Sequence, residues 1–149
     1  MEYNILKKMK KMELIEMILE EKKFVCLGKN DTLKCLREIN IDYSQENFIL
    51  LCFDSSNKII KKKVLFKGST DRATVDLKIL FREILTTKCV TSILIAHNHP
   101  SGNMSPSRSD KNITENIIEN SNLFGIRFLD HLIFDKRNYF SFLEEGLLN

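Results

Sequence analysis

Proline is scarce, with only two in 149 residues, and the chain carries no internal repeat and no low-complexity tract. That excludes repeat arrays and compositionally biased segments. No apolar run approaches the ~18 residues of a membrane span, so no integral membrane protein is expected. The lysine-rich start, Met1 to Lys11, is followed by neither an uninterrupted apolar stretch nor a small-residue cleavage site. No secretory signal is therefore expected. The four cysteines (Cys26, Cys35, Cys52, Cys89) form no C-x-x-C pair. This spacing argues against a cysteine zinc ribbon or redox motif and fits reduced, cytosolic thiols. A net charge of +3 is too mild to imply nucleic-acid binding by itself. What is there, 43% hydrophobic and 29% charged residues, suits one folded domain with a core that needs no disulfides. The expectation is a soluble, cytoplasmic, single-domain protein.

The texture changes near residue 45. Before it, Ile5, Met9, Met12, Ile15 and Leu19 follow a helical spacing among lysines and glutamates. After Gly28, Asn30-Asp31 can cap a short helix carrying Leu33, Leu36 and Ile39. Residues 1–44 read as a small N-terminal helical extension packed on a main domain over 45–149. From Glu46 onward, Phe48–Phe53 is an apolar run of strand length, stopped by the turn signal Asp54-Ser55-Ser56-Asn57. Lys58–Phe66 completes a hairpin with it. Val75–Lys88 has helical spacing, with Asp71 or Thr74 as cap, and Val90–Ala96 is a buried strand. Ser107 opens a helix to about Asn122, and Ile126–Phe134 returns as a strand, with a short piece near Tyr139 and Phe140. The order ββαβαβ implies an α/β fold whose sheet is mixed, because the opening hairpin must be antiparallel.

The chemistry concentrates in Ile93–Asp110. Only three histidines occur in the chain, and His97 and His99 share one strand end, where period-two alternation points both imidazoles the same way. Asn98 faces the other side. Asp110 lies three residues after Ser107, the expected helix cap, and the loop between carries Pro100, Gly102 and Pro106. Folding the helix start back over the strand end would bring together two imidazoles and a carboxylate. That set suits zinc with a fourth position left for water, whose pKa the metal can lower toward ~7. Each half also has a plainer reading. A histidine pair at a strand end is often polar surface, and Ser-x-x-Asp can be an acidic capping box. The three convergent ligands around one reversing loop favour the metal site.

The string His97-Asn98-His99-Pro100-Ser101-Gly102, followed by Pro106-Ser107 and Asp110, closely resembles the RadC family. That family is a bacterial branch of the JAB/MPN+ (JAMM) metalloprotease superfamily. The superfamily motif is an upstream Glu, then H-x-H, seven residues, and S-x-x-D, and the spacing here matches. Glu46-Asn47-Phe48 with Asp54 and Asn57, Leu65–Ser69, Leu129–Ile133 and Ser141–Leu148 resemble further family signatures. The resemblance implies a JAB/MPN-type, cytidine-deaminase-like mixed sheet flanked by helices. It also implies one Zn2+ per chain on His97, His99 and Asp110, Glu46 as the base, and Ser107 as hydrogen-bond donor to the oxyanion. Departures exist. Many relatives carry His-Pro-Arg-Glu where this chain has Asp76-Leu77-Lys78-Ile79, and residues 1–44 lack the glycine turns of a helix-hairpin-helix module.

The resemblance favours a hydrolase acting on a peptide or isopeptide amide of a protein substrate. A DNA-repair-associated accessory protein or nuclease is the alternative that the DNA-repair label of the RadC family implies, and nucleic-acid contact is the weaker reading of the lysines Lys58, Lys61, Lys62, Lys63 and Lys67. More simply, such lysines solvate a sheet edge. A zinc deaminase would need H-x-E and P-C-x-x-C elements, and both are missing. A noncatalytic JAB-like module would commonly lack the ligands, all of which are present. His131, within the last long strand, reads as a core histidine or one that supports the ligands.

Overall fold

Every residue from Asn47 to Phe53 is buried, which requires a strand covered on both faces. The computed structural model, which describes residues 28–68 and 75–148, supplies both covers. In chain order the elements are α1 (Lys29–Glu38), β1 (Glu46–Phe53), β2 (Ile59–Gly68), α2 (Leu77–Leu85), β3 (Ser92–His97), α3 (Arg108–Leu123), β4 (Arg127–Phe134) and β5 (Tyr139–Ser141). The strands form one sheet in the order β2-β1-β3-β4-β5. β1 pairs antiparallel with β2 and with β3, and β4 antiparallel with β5, while β3 and β4 are parallel. The parallel pair needs a crossover connection, and α3 is that crossover. The mixed α/β architecture read from the sequence is the one observed.

Alternation along β1 sorts the core into two layers. Ile49, Leu51 and Phe53 face one side, where α1 contributes Leu33, Cys35 and Leu36. Phe48, Leu50 and Cys52 face the other, against Leu80, Phe81 and Ile84 of α2 and Ile117 of α3. Burial pushes the Cys52 thiol up to about 12, so it behaves as a small apolar group. The lysine-bearing strand β2 is a sheet edge, with Lys62, Lys63 and Lys67 exposed, in line with the edge reading.

One irregularity changes which side chains face where. From Ile93 to Ile95 in β3 is two residues, but their partners in β4, Phe128 and His131, are three apart. β4 therefore holds one extra residue, a bulge. Phe128 and His131 lie on the α3 side, whereas Leu129 and Leu132 pack with the α1 side. Asp130 pins the bulge: its carboxylate accepts from Ser141 Oγ (2.5 Å) and from the backbone N–H groups of His131 (2.7 Å) and Leu143 (3.0 Å).

Two helix starts differ from the sequence expectation. α1 begins at Lys29 with Gly28 in the cap position and no side-chain cap, so Asn30 and Asp31 sit inside its first turn, where an acidic group complements the helix dipole. α2 begins at Leu77 and its cap is Asp76, which accepts from the Lys78 N–H at 2.8 Å. The Asp76-Leu77-Lys78-Ile79 departure thus starts a helix. Asp71, Thr74 and the helix expected over Ile5–Leu19 lie outside the described residues. Among the described residues no helix is long and apolar enough to cross a membrane.

Candidate metal centre

β3 ends at His97, which is buried, and the chain then turns away through Asn98 and His99. Alternation delivers what the sequence requires: the His97 and His99 rings lie 4.7 Å apart between centroids, with their Nε2 atoms 2.9 Å apart. Asn98 points to the opposite side. Its Oδ1 accepts from the Asn47 N–H (2.9 Å) and its Nδ2 donates to the Gln45 carbonyl (2.8 Å). That clasp holds the end of β3 against the start of β1, where Glu46 sits. The reversing loop closes through a turn in which the Gly102 N–H donates to the His99 carbonyl at 2.9 Å. Gly102 takes φ +75° there, a backbone region that glycine adopts without strain.

α3 then begins with a complete capping box. Ser107 Oγ accepts from the Asp110 N–H (3.0 Å), and Asp110 Oδ2 accepts from the Ser107 N–H (2.7 Å). The same carboxylate meets both imidazoles, with Oδ1 3.3 Å from His97 Nε2 and Oδ2 3.3 Å from His99 Nε2. Cap and cluster are one residue, so the two readings of Ser-x-x-Asp do not exclude each other. Glu46 Oε1 lies farther out, 3.9 Å from His97 Nε2. Glu46, His97, His99 and Asp110 each place a ligand atom within 4.8 Å of the others. All four side chains singled out by the motif thus converge, and Ser107 begins the helix that carries the fourth.

The charges respond to one another. The Asp110 carboxylate beside it, opposed by partial burial, holds His99 above the ordinary imidazole value. Burial would raise the Asp110 carboxyl, but the imidazoles of His97 and His99 outweigh it and keep it well below the usual carboxylate range. His131 is driven well below the ordinary imidazole value by its burial.

The donor set fits a divalent cation. His99 Nδ1 lies 2.6 Å from the Asn103 carbonyl. A carbonyl can only accept, so Nδ1 carries a hydrogen, and Nε2, which faces His97 and Asp110, is the nitrogen that would turn a lone pair to a metal once its own proton is displaced. The three closest donor pairs stand 2.9, 3.3 and 3.3 Å apart, against an edge of about 3.3 Å for tetrahedral donors ~2.0–2.1 Å from zinc. Beside the cluster, Glu46, Phe48, Phe66, Val75, Ser109, Asp110 and Ile113 line a recess of about 40 Å³. A larger recess of about 300 Å³ opens on the α1 side of the sheet, by Phe53, Leu94 and Leu132, away from these groups.

Residues 26–147 match the model of the RadC-like JAB domain. The chain belongs to the RadC-like JAB family. A UPF0758 protein of Actinobacillus pleuropneumoniae serotype 5b is 43% identical over 102 residues, covering 68% of this chain and 46% of that protein. A UPF0758 protein of Methanosarcina barkeri is 35% identical over 134 residues, covering 90% and 58%. One of Clostridium perfringens is 41% identical over 118 residues, covering 79% and 48%. The chain spans about half the length of the curated relatives it matches. The RadC-like region takes in α1 to β5, with Glu46, His97, His99, Ser107 and Asp110 all inside it.

Two residues behind the metal-centre histidines complete the site, and the sequence reading reached only one of them. His131 Nε2 lies 2.7 Å from His97 Nδ1, and Thr114 Oγ1 lies 2.6 Å from His131 Nδ1. His131 was legible as a supporting histidine, but its orientation depends on the bulge. Thr114 had one signal: it follows Asp110 by four residues, the spacing that stacks two side chains on one helix face.

Proposed function

We propose that this RadC-like JAB domain is a zinc-dependent hydrolase of JAMM type that cleaves an amide in a peptide or isopeptide substrate. The observation that carries the reading is the convergence of His97, His99 and Asp110 within 2.9–3.3 Å of one another, with Glu46 set farther back at 3.9 Å. His97 Nε2, His99 Nε2 and the Asp110 carboxylate would hold the metal. When bound, zinc supplies Lewis acidity, which polarises a carbonyl and acidifies water. Glu46, partly exposed and outside the tight trio, would take a proton from an attacking water and return it to the leaving amine. Ser107 Oγ spends a lone pair on the Asp110 N–H, so its hydroxyl hydrogen is free to donate to the oxyanion of the tetrahedral species. A single metal with one base suits attack at a carbonyl carbon. Many phosphodiesterases use two metals ~3.5–4 Å apart, and the ligand group here holds a single carboxylate, Asp110, in its tight trio.

The test is to incubate the zinc-loaded wild type and Glu46→Gln with peptide libraries, isopeptide-linked proteins, and single- and double-stranded DNA. Amide cleavage by the wild type, lost in a Glu46→Gln variant that still binds zinc, is the expected result. Zinc-dependent DNA cleavage that vanishes in Glu46→Gln, with no amide cut, would overturn the reading in favour of a nuclease.

A further inference from the structure

His97 can donate a lone pair from Nε2 only if its hydrogen sits on Nδ1. Nothing in an isolated imidazole secures that choice. Here the choice runs back through His131 and Thr114. Thr114 has a single hydroxyl hydrogen, and Oγ1 lies 2.6 Å from the backbone carbonyl of Asp110. Two oxygens that close need a hydrogen between them, and a carbonyl has none, so the Thr114 hydrogen is spent there. Oγ1 therefore turns a lone pair toward His131 Nδ1, 2.6 Å away, and Nδ1 must carry a hydrogen. His131 has no exposed surface, and its ring nitrogens meet Thr114 and His97 rather than a carboxylate. A fully buried cation with no carboxylate on either ring nitrogen is costly, so the ring is neutral and Nε2 is an acceptor. Across 2.7 Å that acceptor calls for a hydrogen on His97 Nδ1. His97 Nε2 is left with its lone pair directed at His99 Nε2, 2.9 Å away, so in the metal-free protein the hydrogen between these two nitrogens belongs to His99, the position a metal would take over.

We infer that Thr114 and His131 are positioning residues that fix the ligating tautomer of His97 through a one-way chain of hydrogen bonds beginning at the Asp110 carbonyl. The chain closes on itself, because Asp110 supplies both a carboxylate to the cluster and the carbonyl that sets the polarity of its neighbour. This inference rests on the reading of His97 as a metal ligand, but the tautomer is observable without any metal.

The experiment combines nitrogen-15 NMR of the histidine rings with zinc titration against a chromophoric chelator, on the wild type, Thr114→Val and Thr114→Ser. In the metal-free wild type, His97 should show its hydrogen on Nδ1 and an unprotonated Nε2. Thr114→Val keeps the shape and removes the acceptor for His131 Nδ1–H. The His131 hydrogen then redistributes between its two nitrogens, His97 follows, and zinc affinity should fall about 10–100-fold, the usual effect of losing an outer partner of a ligating histidine. Thr114→Ser restores the oxygen and should behave as the wild type in both measurements. A wild-type His97 carrying its hydrogen on Nε2, or a folded Thr114→Val with unchanged tautomer and zinc affinity, would overturn the inference. If Thr114→Val does not fold, the wild-type ring spectrum decides alone. A wild type that takes up no zinc yet shows the stated tautomers would remove the zinc reading and support the hydrogen-bond chain.

Discussion

The substitution Asp110→Asn separates the two duties of this residue, because an amide can perform one and not the other. The Ser107 N–H requires an acceptor where Oδ2 now lies, at 2.7 Å. The oxygen of the new amide must take that place, which puts its NH2 group where Oδ1 stands, 3.3 Å from His97 Nε2. The capping box survives as a neutral version of itself. A charge-assisted hydrogen bond becomes an ordinary one, a loss of about 1 kcal/mol. The negative charge in the first turn of α3 disappears, worth about 0.3–1 kcal/mol. In sum the helix start of the metal-free variant should lose about 1–2 kcal/mol, or roughly 3–6 °C of melting temperature when measured above the raised His99 value, where the His99 contact no longer adds to the loss. The cluster loses much more. One of three donors turns into a hydrogen-bearing group aimed at the His97 lone pair, and the anion that offsets the cation is gone. Zinc affinity should therefore fall by more than the ~100-fold that marks the upper range for an outer partner. Chelator competition gives the affinity, and thermal denaturation in chelator gives the stability. An affinity within tenfold of wild type would reduce Asp110 to a helix cap. Collapse of the fold in chelator would show that the amide cannot take the orientation argued above.

Two further predictions follow from the same corner of the molecule. Ser107→Ala removes a cap that accepts the Asp110 N–H at 3.0 Å and should cost about 1 kcal/mol, near 3 °C, with zinc retained. Its amide turnover should nonetheless fall by about 10²–10³, the usual effect of losing an oxyanion donor; melting, metal content and rate measured on one sample decide, and an unchanged rate leaves Ser107 as a cap only. The second prediction concerns pH. In metal-free protein the raised His99 contributes stability fully below the ordinary imidazole value of ~6.5, lost as pH rises through its higher folded value. The lowered Asp110 contributes stability above the ordinary carboxylate value of ~3.9, lost as pH falls through its lower folded value. This pair therefore favours metal-free stability at about pH 4–6.5. Zinc competes with the proton on His99, so the rise in melting temperature on adding zinc should grow from pH 5.5 to 8; a rise that shrinks over that range counts against His99 as a ligand.

How far the sequence reached depended on whether the information was local. A continuous apolar run located β1, and largely apolar stretches located β3 and β4, within two residues of their observed limits, because strands buried over most of their length leave little choice of residue. H-x-H at a strand end and S-x-x-D at a helix start named the convergent side chains, because their spacing follows from periods of 2 and 3.6. Helix starts were harder. Asp76 caps α2 two residues past Thr74 and five past Asp71, and α1 starts at Lys29 after Gly28 without a side-chain cap, since several Asx and Thr residues nearby compete for the position. Glu46 depended on the family resemblance alone. In sequence it is one acidic residue before a strand, and only the antiparallel register Phe48↔His97 brings that end of β1 beside the histidines. The Thr114–His131–His97 chain was least legible, since it joins a helix to two strands.

The extra residue in β4 sets a rule of length. Loops on this domain can gain or lose residues at modest cost, but the stretch Phe128–His131 behaves like a gear tooth. Removing one residue there would restore simple alternation and exchange the sides of everything that follows in the strand. Leu132, now fully engaged on the α1 side, would swing toward the polar cluster, and the imidazole of His131 would enter an aliphatic layer with nothing to accept its hydrogen. Composition would be almost unchanged, yet the histidine that orients another histidine would be on the wrong side of the sheet. The metal centre thus depends on a count of residues as much as on their identity.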